Sequence, residues 1–442
     1  FFRLLRITGT SAPGCSLHRG RVMSISPTHR MPYCSSQRTM AARAAIRDAG
    51  RVMGLPLSQV DAIAKLIPFD LHITLDKALE KSSALKEFYD NDPAVKKLID
   101  VAKGLEGMPR NASTHAAGIV VTPLPTYEYV PLAKNDDVVV TQFTMTTLSE
   151  LGLVKMDFLG LRNLTIIDDT VKLIRKKEPD FDLDKIPDDD PATYQMLAEG
   201  RTCGVFQLES SGMKSVAVGL KAQSIEEITA CIALFRPGPM EQIPKFIDCK
   251  HNPGHVRYKH PLLKNILGVT YGCIIYQEQV MEIFKVLAGY SMARADIVRS
   301  AISKKKTAVL EKERDNFIYG NPEEHVPGCI ANGVDEQTAK QLFEEILDFG
   351  GYAFNKAHAA AYALVSYQTA YLKCRYPGEY MGALLSSVLD SMSKVAEYIA
   401  ECKNMGIAVL PPDVNHSEDG FTVEGKNIRF GLVAVKNVGL KL

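Results

Sequence analysis

Apolar residues recur at helical spacing through the first patterned part of the chain. The stretch TMAARAAIRDAGRVMG (39–54) carries Ile46 and Val52 on a helical period and ends at Gly54, which predicts a helix with a glycine stop. Two or three more helices are predicted up to about residue 107. Asp92-Pro93 suits the start of the last of them, because proline is favoured in the first turn of a helix.

Short β-branched segments bounded by turn residues come next and predict strands. They are AGIVVTP (117–123), DVVVTQFT (137–144) and GLVKMDFL (152–159). From about residue 163 the pattern is helical again, up to a β-like piece at 421–439. This order of a helical segment, a small sheet and a large helical region predicts an α+β fold that is mostly helical.

The first 38 residues show neither helical nor alternating periodicity, and we expect them to be disordered. They contain six Arg and no acidic residue, whereas the whole chain has 52 basic and 51 acidic residues, so the remainder is net negative. A transit peptide and a foreign junction are both compatible with such a segment. Because nucleic-acid-coating proteins are usually strongly basic, any binding of nucleic acid here would depend on local basic patches.

Composition narrows the class of protein further. A chain of 442 residues with 46% hydrophobic residues suits about three globular domains. Its nine cysteines form no C-x-x-C pair, which argues against a zinc site or a disulfide framework and favours a reducing compartment. No apolar run reaches the roughly 20 residues that a membrane span requires.

Two acidic patterns are candidates for a metal site. In EPDFDLDK, a strand would place Asp180, Asp182 and Asp184 on one face, which suits two Mg²⁺ ions about 3.5–4 Å apart. In GLVKMDFLGLRNLT, strand alternation places Lys155 and Asp157 on one face at the end of an apolar strand, where Asp157 suits a metal ligand. The alternatives are a solvated turn for the first pattern and a helix cap for Asp157.

A basic helical segment suits the binding of phosphates. In SMARADIVRSAISKKKTAVLEKERDN, Arg299, Ser303 and Lys306 fall on one helical face, flanked by Lys304 and Lys305. Such a face could hold a triphosphate or a backbone phosphate. A solvated charged face is the alternative.

An aromatic and polar segment suits the binding of a base. In FGGYAFNKAHAAAYALVSYQTAYLK (349–373), a helix is predicted to begin near Asn355, with Asn355, His358 and Tyr362 on one face. The side chains before and within this helix could stack on a base and bond phosphate oxygens, Lys356 among them. A packed core helix with a capped start is the alternative.

Three shorter patterns carry polar side chains at predicted loops or helix starts. A lone histidine in a loop is more often structural than a ligand, a Pro-Gly-Pro turn fixes the residue before it, and polar residues at helix starts usually cap. The residues concerned are Arg110, Asn111 and His115 before the first strand, Arg236 before Pro237-Gly238-Pro239, and Gln277 and Glu278.

Nine segments taken together resemble the C-family DNA polymerases, the family of the bacterial replicative polymerase III alpha subunit. They run in the family's order from about residue 39 to 439, so that nearly the whole chain is covered. They are TMAARAAIRDAGRVMG, RNASTHAAGIVV, LVKMDFLGLRNLTII, GVFQLESSGMK, ALFRPGP, YGCIIYQEQVM, ADIVRSAISKKK, GGYAFNKAHAAAYALVSYQTAYLK and GIAVLPPDVN.

The resemblance implies an architecture and a set of site residues. It implies a helical thumb at 39–112, part of a nucleotidyltransferase-type palm sheet at 113–162 and large helical fingers at 163–442, with 1–38 outside the family. Asp157 matches the family's third catalytic aspartate and is the implied Mg²⁺ ligand. The implied nucleotide and triphosphate site is Arg299, Tyr352, Phe354, Asn355, Lys356 and His358. Weaker contacts to DNA or phosphate are expected from Arg110, His115, Lys155, Arg236, Lys304, Lys305 and Lys306.

The family's reaction is the template-directed transfer of a nucleotide from a dNTP to a primer 3′-hydroxyl, with two Mg²⁺ ions held by three aspartates. The family's paired Asp-x-Asp lies just before the thumb, where 1–38 stands here, so we interpret Asp180 and Asp182 as a look-alike in a surface loop. With one such carboxylate of three, we expect this chain alone to be inactive or nearly so. Ser300 stands where the family usually has a second Arg, which weakens the expected phosphate grip.

The implied partners are primer–template DNA and dNTPs, with the sliding clamp and other replicase subunits in the full-length parent. The implied location is the bacterial cytoplasm, at the nucleoid and not at a membrane. Two alternatives stay open. One is a non-catalytic remnant that binds nucleotide or primer–template, and the other is an unrelated metal phosphohydrolase that uses Asp180 and Asp182.

Overall fold

The computed structural model describes residues 33–442 except 71–72, 136, 237, 304–306, 351, 436–437 and 439–442. The chain divides into two compact units, Phe1–Gly160 and Leu161–Leu442, and each is described by itself. Helices dominate both units and two small sheets complete them, which confirms the α+β, mostly helical fold.

The helical part of the first unit is a bundle of five helices. Their apolar faces share one core, in which Ile46, Leu75, Leu85 and Leu98 are fully buried. The helices are α1 (Ala42–Val52), α2 (Leu57–Lys65), α3 (Leu75–Lys81), α4 (Ser83–Asn91) and α5 (Pro93–Leu105).

Side-chain caps decide where these helices begin. The Ser82 hydroxyl accepts a hydrogen bond from the Leu85 amide, and the Asp92 carboxylate accepts from the amides of Ala94 and Val95. Because a cap residue has extended backbone angles, Ser82 separates α3 from α4 within one apolar pattern. The predicted start at Asp92-Pro93 is confirmed.

The second part of the first unit is a five-stranded sheet with one short helix. The strand order is β3-β4-β1-β2-β5, and β2 pairs antiparallel with both β1 and β5. The elements are β1 (Tyr33–Thr39), β2 (Pro109–Val121), β3 (Leu132–Asn135), β4 (Val138–Thr141), α6 (Met145–Glu150) and β5 (Val154–Asp157).

Two expectations about this sheet are wrong. Disorder was expected up to residue 38, but the backbone from Tyr33 onward is strand β1, while residues 1–32 lie outside the described part. A loop was expected to carry Arg110, Asn111 and His115, but these residues belong to β2. Both differences have one cause, because β1 and the first half of β2 pair with each other across a long sequence separation.

The second unit is built from thirteen helices and a three-stranded sheet among its described residues. The predicted β-like piece at 421–439 contributes two of the strands. The elements are α7 (Arg162–Arg175), α8 (Pro191–Ala198), α9 (Ser211–Leu220), α10 (Ile225–Leu234), α11 (Ile243–His251), α12 (Leu263–Leu267), α13 (Gln277–Ala288), α14 (Met292–Ser303), α15 (Thr307–Tyr319), α16 (Glu336–Gly350), α17 (Lys356–Arg375), α18 (Pro377–Ser386), α19 (Met392–Asn404), β6 (Val409–Leu410), β7 (Thr422–Glu424) and β8 (Asn427–Arg429).

Helix α17 lies at the centre of this unit. Ala359, Ala363 and Tyr367 pack into one core, while Val365 and Leu372 pack into another. Because the helix is held on opposite faces, its start is fixed in place, and that start carries Asn355, Lys356 and His358 of the predicted nucleotide-binding residues. None of the described helices combines the length and the apolar character that a membrane crossing needs.

Candidate nucleotide and metal site

Asp157 ends the edge strand β5 and shares a face with Lys155, as the alternation predicts. The Lys155 ammonium donates to both carboxylate oxygens of Asp157, at 2.7 Å from Oδ1 and 2.9 Å from Oδ2. The Lys155 side chain is 11% exposed and that of Asp157 is 42% exposed. The carboxylate is therefore neutralised by a sheltered cation while one side of it faces solvent.

His115 lies beside this pair on the neighbouring strand β2. Its Nδ1 atom accepts hydrogen bonds from the amides of Ala117 and Gly118, at 3.2 and 2.7 Å, and lies 3.8 Å from Asp157 Oδ1. An Nδ1 atom that accepts from two amides carries no proton, so the ring proton is on Nε2. The contact with Asp157 is therefore not a charge pair in this arrangement.

Gly118 makes room for the three side chains of this site. It pairs directly with Asp157 across the β2–β5 ladder. A Cβ atom at Gly118 would lie 2.5 Å from Lys155 Cε, 2.8 Å from His115 Nδ1 and 3.0 Å from Asp157 Oδ1. A glycine inside a strand often marks such a close approach, which was the available sequence signal for this residue.

Arg110 forms an ion pair with Asp48 and not with Asp157. Its guanidinium forms a two-pronged ion pair with the Asp48 carboxylate on α1, at 2.6 Å from Nε to Oδ2 and 3.1 Å from Nη2 to Oδ1. This pair connects β2 to the helical bundle of the same unit. Any contact of Arg110 with a phosphate would compete with Asp48.

In the second unit, the aromatic side chains along α17 form a continuous row. The ring centroids of Phe354 and His358 are 5.4 Å apart, those of His358 and Tyr362 are 4.2 Å apart, and those of Tyr362 and Phe206 are 5.2 Å apart. We call these four residues the aromatic row. His358 and Tyr362 are four residues apart on one face of α17, and Phe354 lies just before the helix, where its backbone bridges to Tyr276. His358 is exposed and the other three are half-buried.

Arg236 covers the first ring of the aromatic row. Its guanidinium carbon lies 4.3 Å from the centroid of the Phe354 ring, and its Nη2 donates to the Tyr352 carbonyl oxygen. Its Nε is buried without a hydrogen-bond partner among the described residues. Burial also lowers the pKa of Arg236. Gly238 allows this packing, because its φ is +99° and a Cβ there would lie 2.7 Å from the Tyr352 ring.

The start of α17 is capped twice. The Asn355 side chain accepts from the His358 amide at 2.8 Å, and both Glu278 carboxylate oxygens accept from the Lys356 amide at 3.0 Å. The predicted helix start at Asn355 is confirmed. Glu278 is a capping residue, as expected for a polar residue at a helix start. The helix that it caps is α17 and not its own helix, α13. Because these amides are already bonded, a phosphate here would have to be held by side chains.

Of the other cations predicted to contact phosphate, two form ion pairs within the chain and three lie outside the described residues. Lys356 Nζ lies 3.2 Å from Glu226 Oε1 and 5.4 Å from the centroid of the Tyr276 ring. Arg299 Nε donates to Asp296 Oδ1 at 2.8 Å. Lys304, Lys305 and Lys306 lie outside the described residues, between α14 and α15, so their predicted role stays a prediction.

The aspartates of EPDFDLDK do not form a strand. Asp182 caps a single helical turn at Leu183–Lys185, where its carboxylate accepts from the Asp184 amide at 3.1 Å, and this bond lowers its pKa. Asp180 is exposed in the preceding turn. The strand that would align three carboxylates is therefore not adopted, and the interpretation as a surface turn fits the backbone.

One cluster of candidate metal ligands occurs within the described residues, and a lysine occupies it. Cys203, Glu209 and Glu397 bring ligand atoms within 4.8 Å of one another. The Lys394 ammonium lies 3.6 Å from Glu209 and 2.9 Å from Glu397. Burial raises the pKa of the Cys203 thiol to about 11, so it stays protonated at neutral pH. A protonated thiol and a resident ammonium do not suit a cation.

Comparisons with known proteins agree on one family. The model of the bacterial DNA polymerase III alpha subunit finger domain matches residues 163–325, and that of the bacterial DNA polymerase III alpha NTPase domain matches 27–160. The second match begins at residue 27, inside the segment 1–38 that was expected to lie outside the family. A helix-hairpin-helix motif matches residues 406–442, whose described part contains the short strands β6, β7 and β8.

Curated relatives give the same result. The chain is 44% identical to the DNA polymerase III subunit alpha of Bacillus subtilis over 404 residues, which is 91% of this chain and 36% of the relative. It is 45% identical to that of Borreliella burgdorferi over 403 residues, or 91% and 34%. It is 44% identical to that of Thermus aquaticus over 410 residues, or 91% and 33%. The chain thus spans about a third of the length of these relatives.

Proposed function

The chain belongs to the bacterial DNA polymerase III alpha family, and from that premise we propose that it serves template-directed DNA synthesis. The reaction is the transfer of a nucleotide from a dNTP to a primer 3′-hydroxyl. Primer–template DNA and dNTPs are the proposed substrates. The sliding clamp and other replicase subunits are proposed partners of a full-length parent, at the bacterial nucleoid.

The observation that carries this proposal is the aromatic row with Arg236 stacked on its first ring. Rings and a guanidinium in contact offer stacking surfaces for bases together with a positive charge. We assign the incoming nucleotide to this place, with Tyr352, Phe354, Asn355, Lys356 and His358 around it. Arg299 is the proposed triphosphate contact, which would exchange Asp296 for phosphate oxygens.

Asp157 is the proposed carboxylate ligand of Mg²⁺, the ion that would stabilise the charge of the phosphates during transfer. Among the described residues it belongs to no group of three or more candidate ligands, and Lys155 occupies both of its oxygens. Two hard cations require more oxygen ligands than one carboxylate offers. The described residues therefore do not by themselves fit a site for two ions.

This mismatch favours a second candidate function, which is binding without turnover. In it, the chain holds nucleotide and primer–template through the aromatic row and its flanking cations, while nucleotidyl transfer is absent or very slow. The cations that would contact the bound nucleotide or DNA are Arg236, Lys356 and Arg299. The phosphohydrolase alternative has less support, because Asp182 is used as a cap.

The test of the proposal is the binding of a fluorescent primer–template by the purified chain at several salt concentrations. The logarithm of the affinity should fall linearly with the logarithm of salt between about 50 and 200 mM, because phosphate contacts release counterions. A Phe354→Leu/Arg236→Lys double variant should bind the complementary dNTP more weakly in the presence of primer–template. Absence of DNA binding at the lowest salt would overturn the proposal.

A further inference from the structure

A cavity of about 540 Å³ lies in the second unit beside the aromatic row. It is bounded by the start of α7, the loop before α9, the end of α18 and the start of α19. Phe206 connects it to the row, since its ring lines the cavity and also contacts Tyr362. Asn163 and Gln207 are among its polar lining residues.

Two amide side chains line the cavity wall. Asn163 is half-buried, Gln207 is exposed, and neither amide bonds another group of the described chain. Side-chain amides offer a donor and an acceptor together, which is the pattern that reads the edge of a base. The wall therefore has two side-chain amides that are available to hydrogen-bond a ligand.

The backbone of Gln207 is held in an unfavourable conformation. Its φ is +62°, in the left-handed region that residues other than glycine seldom adopt. Such a conformation persists when the surroundings determine it, and it clusters at ligand sites. Here it fixes the direction in which the Gln207 amide leaves the loop.

Buried side chains of α17 hold this loop by its backbone. Lys373 Nζ, on a side chain that is 1% exposed, donates to the carbonyl oxygens of Arg201 and Cys203 at 3.0 and 2.8 Å. The Thr369 hydroxyl accepts from the Phe206 amide at 3.1 Å. These long-range bonds preorganise the cavity wall before any ligand arrives.

The charges at the cavity limit the ligand to few negative charges. Arg162 lies 3.7 Å from Asp390, and Lys394 lies near Glu209 and Glu397. Each cation is thus already paired with at least one carboxylate. A free triphosphate would meet too little positive charge, whereas a single phosphodiester would meet enough.

We propose that this cavity binds one unpaired nucleotide of a DNA strand, with its base against Phe206 and its edge bonded by Gln207 and Asn163. Arg162 contacts the adjoining phosphodiester. The inference rests on the proposed function and deepens it, because it adds a site for single-stranded DNA beside the site for the incoming nucleotide. The volume of the cavity suits one base and sugar and not a duplex.

The test compares two DNA molecules and three variants. One DNA is a primer–template with a single-stranded overhang of about ten nucleotides that contains 2-aminopurine, and the other is the same duplex with blunt ends. Gln207→Gly removes the amide and relieves the left-handed backbone, so it should fold. Gln207→Asn keeps an amide in a residue that tolerates this conformation. Gln195→Ala, which alters an exposed residue of α8, is the control.

The wild-type chain should bind the overhang DNA more tightly than the blunt duplex and should quench 2-aminopurine. Gln207→Gly should weaken overhang binding about tenfold and leave blunt binding unchanged, while Gln207→Asn should stay within about threefold of the wild type. Unchanged overhang binding, an equal loss on both DNAs, or reversal of the quenching by free dNTP would overturn the proposal. A wild-type chain that binds neither DNA would instead refute the proposed function, and this inference with it.

Discussion

The Lys155 ammonium holds both carboxylate oxygens of Asp157, two residues further along the same edge strand. The pair therefore has the geometry of a two-pronged bond within one strand face. For Asp157 to bind a cation, Lys155 has to release at least one oxygen or be repelled by the incoming ion. The pair orients the carboxylate of Asp157, and at the same time competes with metal.

Replacement of Gly118 by alanine should disrupt this pair. The added methyl group would lie 2.5 Å from Lys155 Cε, so the lysine has to move away from Asp157. We expect a loss of about 1–3 kcal/mol in the free energy of unfolding, measured by urea denaturation. Gly160→Ala is the matched control, because nothing lies within 4 Å of a Cβ at Gly160. Equal stability of the two variants would contradict the crowding seen at Gly118.

Arg236→Lys should weaken nucleotide binding despite keeping the charge. A lysine cannot place a planar guanidinium on the Phe354 ring while donating to the Tyr352 carbonyl. We expect about a tenfold loss of dNTP affinity in the presence of primer–template, measured by equilibrium binding. Arg257→Lys is the control, since Arg257 is exposed and bonds only nearby carbonyl oxygens. An unchanged affinity of Arg236→Lys would separate Arg236 from the nucleotide site.

The sequence correctly predicts where α17 starts and which side chains of β5 share a face. At Asn355 a capping residue, a helix-forming run and a preceding glycine pair all favour the same boundary, and the structure has it there. At β5, alternation alone places Lys155 and Asp157 on one face. These features depend on neighbours in sequence, so a local pattern is sufficient to predict them.

Features that depend on distant partners could not be predicted. The polar run RNASTHA gives no strand signal, yet it is part of β2 because β1 pairs with it, Ser35 opposite Thr114 and Ser36 opposite Ser113. Nor does any local pattern indicate that Glu278 caps a helix that begins 78 residues later. No local sequence pattern predicts the left-handed backbone of Gln207 either, because its loop is held by Lys373 and Thr369, far along the chain.

Asp190→Asn should destabilise the second unit at neutral pH. Asp190 is buried, caps α8 through Thr193 and pairs with Arg375, and the Arg375 guanidinium lowers its pKa from the ordinary 3.8. Since Arg375 is half exposed, we expect a loss of about 1–3 kcal/mol.

The pH dependence of this effect has a definite sign. A carboxylate whose pKa is lowered in the folded state stabilises the fold above its unfolded pKa, and that contribution is lost as pH falls through the folded pKa. The difference in unfolding free energy between wild type and Asp190→Asn should therefore shrink below pH 3.8. Urea denaturation of both proteins across that pH range measures this difference in unfolding free energy. A difference that stays constant with pH would show that the ionisation of Asp190 is not its cause.

Lys373→Met should be among the most destabilising single substitutions in the second unit. It leaves the Glu401 carboxylate, which Lys373 contacts at 2.6 Å, without its partner and removes the donor to the carbonyl oxygens of Arg201 and Cys203. The expected loss is about 3–5 kcal/mol by guanidinium denaturation. The double variant Lys373→Met/Glu401→Leu should recover part of it, because it removes the uncompensated charge. A double variant less stable than the single one would exclude this explanation.

The most direct test of whether this chain binds DNA without nucleotidyl transfer is single-nucleotide extension of a primer–template with Mg²⁺. It compares the wild-type chain, Asp157→Ala and an Asp180→Ala/Asp182→Ala double variant, with DNA binding measured in parallel. We predict that all three bind the DNA and that none extends the primer at a rate near that of a complete polymerase. Extension that is lost only in the Asp180→Ala/Asp182→Ala variant would contradict the assignment of the metal-binding carboxylate to Asp157.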